Sequence, residues 1–360
     1  MRSWLFFIIF TITSSLCQGL DWANDFNSFF VEPSTMARGR VAVSLSGAQR
    51  QYSRKASDDG GKQALGGQRT HTLQKFGTRS ADIERTETRS IRQEKLAPMY
   101  VYGLTSVWSV AFRVSIIKTD TDNDVSYTYI DPANSGKKLT REAGAALWGE
   151  TTPSAHVSGN QVGTAEVLNK QLLIGDNESG LAIYENLKFP SAQTVESDYA
   201  VTDLPEPRGF GFGMGTAAAY QLSRRFKTQT GMMYVHNFED TLTTHDSLLS
   251  TSRLEKLHRQ PGADFIFSSS VVTQVANDLS FNLGWLWQSK SADEINTETG
   301  KVNGPVEYES LAVIGVGLKP QAFEIAKEYQ FGANLNYYSL LAGRNVADAN
   351  TLGLDLQVLF

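Results

Sequence analysis

Apolar and polar residues alternate singly along much of this chain, a period of two that marks β-strands whose faces meet different surroundings. The cleanest run is LSFNLGWLWQS: Leu279, Phe281, Leu283, Trp285 and Trp287 share one face, and Ser280, Asn282, Gly284, Leu286 and Gln288 the other. YQFGANLNYYSLL and VWSVAFRVSI repeat the design. In GFGFGMGTAAAYQL, Phe210, Phe212, Met214, Ala218 and Tyr220 stand opposite a face that is nearly all Gly or Ala. TLGLDLQVLF carries the alternation to the end, with Leu352, Leu354, Leu356, Val358 and Phe360 set against Gly353, Asp355, Gln357 and Leu359.

Read this way, strands fall near 37–52, 92–104, 107–118, 161–174, 181–189, 208–222, 226–239, 263–275, 279–289, 305–318, 329–343 and 351–360. The connections differ in kind. YVYGL-TS-VWSV, QLS-RR-FKTQ, TQVA-ND-LSFN and LLI-GDNESG-LAIY are short, and the others are long and polar. Short turns on one side and long loops on the other characterise outer-membrane barrels, with the short turns periplasmic. The expected fold is therefore all-β: a transmembrane antiparallel up-and-down β-barrel of about twelve strands, with short periplasmic turns and long extracellular loops. Both termini then fall in the periplasm, and the last strand closes the barrel against the first near Val41 to Leu45. A large soluble β-sandwich is the competing reading, but it buries only one face of each sheet and leaves the aromatic clusters on strand after strand unexplained.

Strands four and five alternate poorly, because LNKQLLI and LAIYENLKF put Lys170 and Glu185 in register with apolar neighbours. A bulge, or a ten-strand barrel, is the expected cause. Aromatic positions fit two interfacial girdles. Tyr100, Tyr102, Trp108, Tyr220 and Phe226 flank the short turns, and Phe238, Phe265, Phe267, Trp285 and Trp287 the opposite edge.

The start of the chain, MRSWLFFIIFTITSSLCQG, has the layout of a secretory signal peptide over residues 1–19: Arg2, an apolar run from Trp4 to Ile12, then small residues. Cleavage after Gly19 removes Cys17, the sole cysteine, so no disulfide framework follows. Residues 20–36 read as a periplasmic segment or plug, in which Trp22, Phe26, Phe29 and Phe30 fit one helical face, and residues 37–360 as the barrel. Beyond the signal peptide no stretch approaches the roughly 20 apolar residues of a membrane helix. The net charge of −5 calls for no nucleic-acid partner.

Polar residues on the inward face are the candidate solute-lining groups. Arg113, Lys227, Glu307 and Glu309 carry charge, and Asn334, Asn336, Asp355 and Gln357 continue the set; all would be costly against lipid. They either line a passage or pair and fill the interior. DTDNDVSYTYID sets Asp120, Asp122 and Asp124 at alternate positions, with Asp131 beyond, a weak calcium pattern that lacks the glycine and terminal glutamate of a calcium loop; neither a metal nor a cofactor is expected. Arg79, Arg85 and Arg89 in the first long loop are candidates for lipopolysaccharide contact. His245, Asp246 and Ser247, with His236 and His258 nearby, have a His-x-Ser spacing but lie in a loop, which argues against a positioned triad. No enzyme activity is expected.

LAPMYVYGLTSVWSVAFRV and SGLAIYENLKFPSA resemble segments of the outer-membrane barrels of the phenol meta-degradation pathway, a MetA-like group distantly similar to the long-chain fatty-acid channels. The resemblance runs from about Lys95 to Phe238 and includes the YGLT turn. It implies an outer-membrane channel in a Gram-negative bacterium for small hydrophobic or aromatic solutes. Its partners would be outer-membrane lipid and lipopolysaccharide, the solute, and the barrel-assembly machinery, which would read Phe360. The alternative is a non-transporting structural or surface-interaction barrel, and behind it an outer-membrane hydrolase.

Overall fold

The computed structural model describes residues 35–57, 61–76, 79–131, 134–148, 155–176, 179–189, 210–245, 254–297, 300–304, 306–326 and 329–360. The signal-peptide reading and the plug residues Trp22, Phe26, Phe29 and Phe30 lie outside them. Twelve strands close into one antiparallel barrel. They are β1 (Val41–Tyr52), β2 (Arg79–Thr105), β3 (Trp108–Asp131), β4 (His156–Gly175), β5 (Gly180–Phe189) and β6 (Gly211–Gln221). The second half comprises β7 (Phe226–Asn237), β8 (Asp264–Gln274), β9 (Leu279–Lys290), β10 (Glu307–Ala326), β11 (Tyr329–Arg344) and β12 (Thr351–Leu359). Each pairs with its neighbour in sequence, and β12 returns to β1 from Ala42↔Leu359 to Arg50↔Thr351. Phe360 N donates to the Val41 carbonyl at 2.8 Å, so the ladder is tied to its last residue. Closure leaves no strand edge with unpaired backbone groups, each of which costs several kcal/mol in hydrocarbon.

The alternation in sequence is the alternation in space. Phe112, Phe212, Met214, Tyr220, Leu283, Trp285, Leu335 and Tyr337 are exposed on the barrel's exterior, and Ala111, Ala217, Leu286 and Tyr338 on the intervening positions are buried. Phe265 packs edge-on to Trp287, and Phe267 lies against Trp285, each pair at 5.6 Å between ring centroids. The short β4–β5 turn needs glycine at 175: its φ is +87°, and a Cβ there would overlap the Ser179 carbonyl and lie 2.7 Å from Gly180 Cα.

The poor alternation of β4 has a structural cause. Its pairing slips between Leu172 and Ile174 against β5, and between Val114 and Ile116 of β3 on its other side. Bulges, not a smaller barrel, account for the irregular pattern.

Two hairpins outrun the expected lengths. β2 and β3 stay paired to Asp82↔Ile130, well beyond the barrel, and Gly66–Phe76 and Asn134–Lys138 add to their edges. At the opposite end β10 and β11 continue past Leu318 to Ala326↔Tyr329. At the loop end, Asp240–His245, Leu254–Gln260, Glu294–Thr297 and Gly300–Asn303 form a separate four-stranded sheet. One short helix, Arg141–Trp148, departs from the all-β expectation. Thr140 caps it, accepting Ala143 N on its side chain at 3.3 Å, and Gly144 admits the Tyr127 ring, which a Cβ would strike. Ile83, Val125, Tyr127 and Ala145 make a satellite core there, apart from the barrel's own.

The barrel interior as candidate site

The inward faces of the strands mix buried apolar and buried polar side chains around the barrel. From β7 to β10, Met233, Val235, Ile266, Leu286, Leu311 and Val313 belong to one buried cluster, and Gln229, Asp264, Ser268, Gln288 and Glu309 are buried beside them. From β2 to β5 a charged group, Lys95, Arg113, Glu166 and Lys170, all at most 4% exposed, lies among Met99, Val101, Leu168 and Tyr184 of the same cluster. Arg113 and Glu166 sit opposite each other on β3 and β4, and Arg113 Nε donates to Glu166 Oε2 at 2.8 Å. Between β5 and β7 lies β6, whose inward positions Gly211, Gly213, Gly215, Ala217 and Ala219 project little or nothing.

The eight candidate lining residues all fall on the strand face opposite the exposed apolar residues. Besides Arg113, Glu309 is buried and accepts Gln288 Nε2 at 3.0 Å, with Glu307 two residues along the same face. Asn336 is buried, its Nδ2 lies 3.5 Å from Asp355 Oδ2, and Ser46 hydrogen-bonds to the same carboxylate. Asn334 is directly opposite Asp355, and Gln357 and Lys227 stand nearer the short-turn end. The sequence reading did not single out Lys95, Glu166, Asn186 or Lys188 and noted Lys170 only as a misfit. Lys95 had a usable signal, sharing parity with Ala97, Met99 and Val101.

At the short-turn end, the chain ahead of β1 is fastened to the interior. Met36 N donates to Ser109 Oγ at 2.7 Å, and Thr35 Oγ1 to the Ser106 carbonyl at 2.9 Å. Gly103 permits this, because a Cβ would overlap the carbonyls of Met36 and Ala37.

Other candidates are not assembled into sites. Asp120 and Asp122 engage separate partners on the extended hairpin, Lys118 Nζ at 2.7 Å for the first and His156 Nδ1 at 2.8 Å for the second. The Lys118 hydrogen bond, then that from Ser158, hold the Asp120 carboxyl below the usual range. Asp124 is on the same strand face, and no group of three or more potential metal ligands occurs among the described residues. Arg85 and Arg89 both turn to Glu87, at 2.6 and 2.7 Å. Burial alone would raise the Glu87 carboxyl, but the two guanidiniums outweigh it and hold it low. The side chains of Arg79, Asp131 and His245, and the whole of Asp246 and Ser247, lie outside the description. His236 packs edge-on to Phe238, and His258 Nδ1 is 3.2 Å from Glu239 Oε1.

A carboxylate faces outward on β5. Glu185 lies between Ile183 and Leu187 on the exterior of β5, accepting Asn169 Nδ2 at 3.1 Å, and Asn169 in turn accepts the Trp108 indole N–H.

No protein-family model matches the sequence, and no curated protein does either. Among solved structures, the chain is similar to a COG4313 outer membrane channel from Pseudomonas putida F1, with TM-score 0.56 and 12% identity over 91% of this chain and 97% of that one. At this identity the likeness speaks for the fold: a barrel of the outer-membrane type. A TodX mutant described as a monoaromatic hydrocarbon channel aligns at TM-score 0.38 and 10% identity over 90% of each chain, and a FadL homologue from Pseudomonas aeruginosa at 0.37 and 10% over 89% of each. These two add nothing to the fold assignment.

Proposed function

We propose that the chain is an outer-membrane channel of a Gram-negative bacterium that passes small hydrophobic or aromatic solutes. The observation that carries this reading is a closed barrel, apolar outside, whose inward face combines a buried apolar cluster with buried charged and amide side chains and the bare surface of β6. The long-loop end would face outward and capture solute, and the short-turn end the periplasm. The resemblance of LAPMYVYGLTSVWSVAFRV and SGLAIYENLKFPSA to the barrels of phenol meta-degradation favours an aromatic solute. Residues 20–34 would act as a plug after cleavage at Gly19, a reading supported by the fastening of Thr35 and Met36 at the barrel's inner rim. Phe360, exposed at the end of the closing strand, would serve as the assembly signal.

Proteoliposomes carrying the full chain should take up toluene faster than liposomes alone, and deletion of residues 20–34 should raise single-channel conductance. A specific observation favours the second reading, a filled barrel: the charged inner side chains are almost wholly buried. That reading wins if the deletion variant conducts no ions and toluene uptake stays at the lipid-only rate.

A further inference from the structure

The carboxylate on the exterior of β5 belongs to a polar group of three. Gln171, Asn169 and Glu185 occupy adjoining outward positions: Trp108 pairs with Gln171 and Val110 with Asn169 across β3 and β4, and Asn169 pairs with Glu185 across β4 and β5. The surrounding exterior is apolar. Phe112, Leu187 and Met214 are all exposed there, and Met214 is the cross-strand partner of Glu185 on β6. Hydrocarbon offers the three polar groups neither donors nor acceptors.

The hydrogen bonds within the group leave a matched remainder. Asn169 accepts the Trp108 indole N–H on Oδ1, which turns its Nδ2 edge toward Glu185, and one amide N–H goes to Glu185 Oε2. Among the described residues its second N–H, the Gln171 amide and Glu185 Oε1 make no hydrogen bond. Donors and an acceptor thus stand open on one surface. Lipid headgroups are badly placed to meet them: Trp108 begins β3 at the short turn, where an interfacial girdle sits, whereas Asn169 lies opposite Val110, two residues further into the membrane, and Glu185 is five residues from the turn end of β5. A partner that reaches this depth must itself cross the membrane.

We infer that two copies of this chain meet on this face, each Glu185 accepting an amide N–H from Asn169 or Gln171 of the other copy, within a frame of Phe112, Leu187 and Met214. Such a twofold contact needs a self-complementary surface, and donors beside an acceptor supply one. Polar side chains that hydrogen-bond across membrane segments favour association, because lipid satisfies none of them. A barrel alone in lipid bears the cost of the group, and a second copy removes it. The inference goes beyond the channel reading and does not depend on it.

The test is energy transfer between donor- and acceptor-labelled chains in phosphatidylcholine vesicles, read over a range of protein-to-lipid ratios. Transfer should saturate as a dimer does. Glu185→Leu, and separately Asn169→Leu with Gln171→Leu, should each weaken association about tenfold, as the loss of two symmetric hydrogen bonds in a membrane implies. Glu185→Gln keeps a carbonyl acceptor and should stay within about threefold of the unaltered chain. Leu283→Ala, on the exterior of β9, should stay within about twofold, and heat-modifiable gel mobility confirms a closed barrel for every variant. A bis-maleimide should link Met214→Cys chains in pairs and leave Leu283→Cys chains single. Transfer no greater than random mixing gives, association that survives both sets of leucine substitutions, or linking at position 283 and not at 214 overturns the inference. Association lost when phosphatidylethanolamine replaces phosphatidylcholine would assign the face to a lipid amine and overturns it equally.

Discussion

β9 and the β4–β5 pair are walls of one barrel built on opposite terms. In β9 the outward residues Leu279, Phe281, Leu283, Trp285 and Trp287 are all apolar, and register with β8 and β10 is continuous. In β4 and β5 the register slips on both sides of β4, the inward face carries Glu166, Lys170 and Lys188, and the outward face carries Asn169 and Glu185. A strand that only separates lipid from a packed interior can repeat a simple pattern. One that must aim charges inward and keep its pairing needs extra residues, and the pattern breaks where the chemistry is.

If the charged wall depends on mutual compensation, the largest effect should come from Arg113→Met. It leaves Glu166 buried without the guanidinium that contacts it, at a cost of about 3–5 kcal/mol in urea unfolding from lipid vesicles. The double substitution Arg113→Met with Glu166→Met should recover most of that loss, and failure to recover would mean that the pair is not the unit of stability.

On the regular wall the next largest effect is expected from Leu283→Arg, which sets a cation against lipid on β9 and should cost roughly 2–4 kcal/mol in the same assay. The irregular wall should respond in the opposite sense. Replacing Asn169 and Glu185 together by Leu removes the outward polar pair and should stabilise the barrel by about 1 kcal/mol. Asn169→Leu alone should destabilise it, because Glu185 loses its hydrogen-bond donor. A destabilised double variant would show that the outward pair contributes to the barrel's stability after all.

The same contrast explains what the sequence made legible. All twelve strands and the closure of β12 on β1 could be read from alternation and turn length, because lipid on one side and tight packing on the other impose period two. The eight inward candidates followed from parity alone. Lys188 and Asn186 did not, although NLKF itself alternates, because Tyr184 ahead of them on the inward face and Glu185 on the outward one blur the two faces of β5. The helix Arg141–Trp148 was missed for another reason. Eight residues ending in Trp148 after a capping Thr140 have little signal of their own, and they are held by Ile83, Val125 and Tyr127 from distant parts of the chain.

That satellite core sits on the hairpin that projects beyond the barrel and shares no cluster with the interior. Its loss need not breach the barrel. The projecting hairpin can open and reclose as its own cooperative unit, so amide hydrogens near Ile83 and Tyr127 should exchange long before those of β9 or β12. The molecule thus carries its projecting, solvent-exposed part on a support that can fail without the membrane seal failing with it.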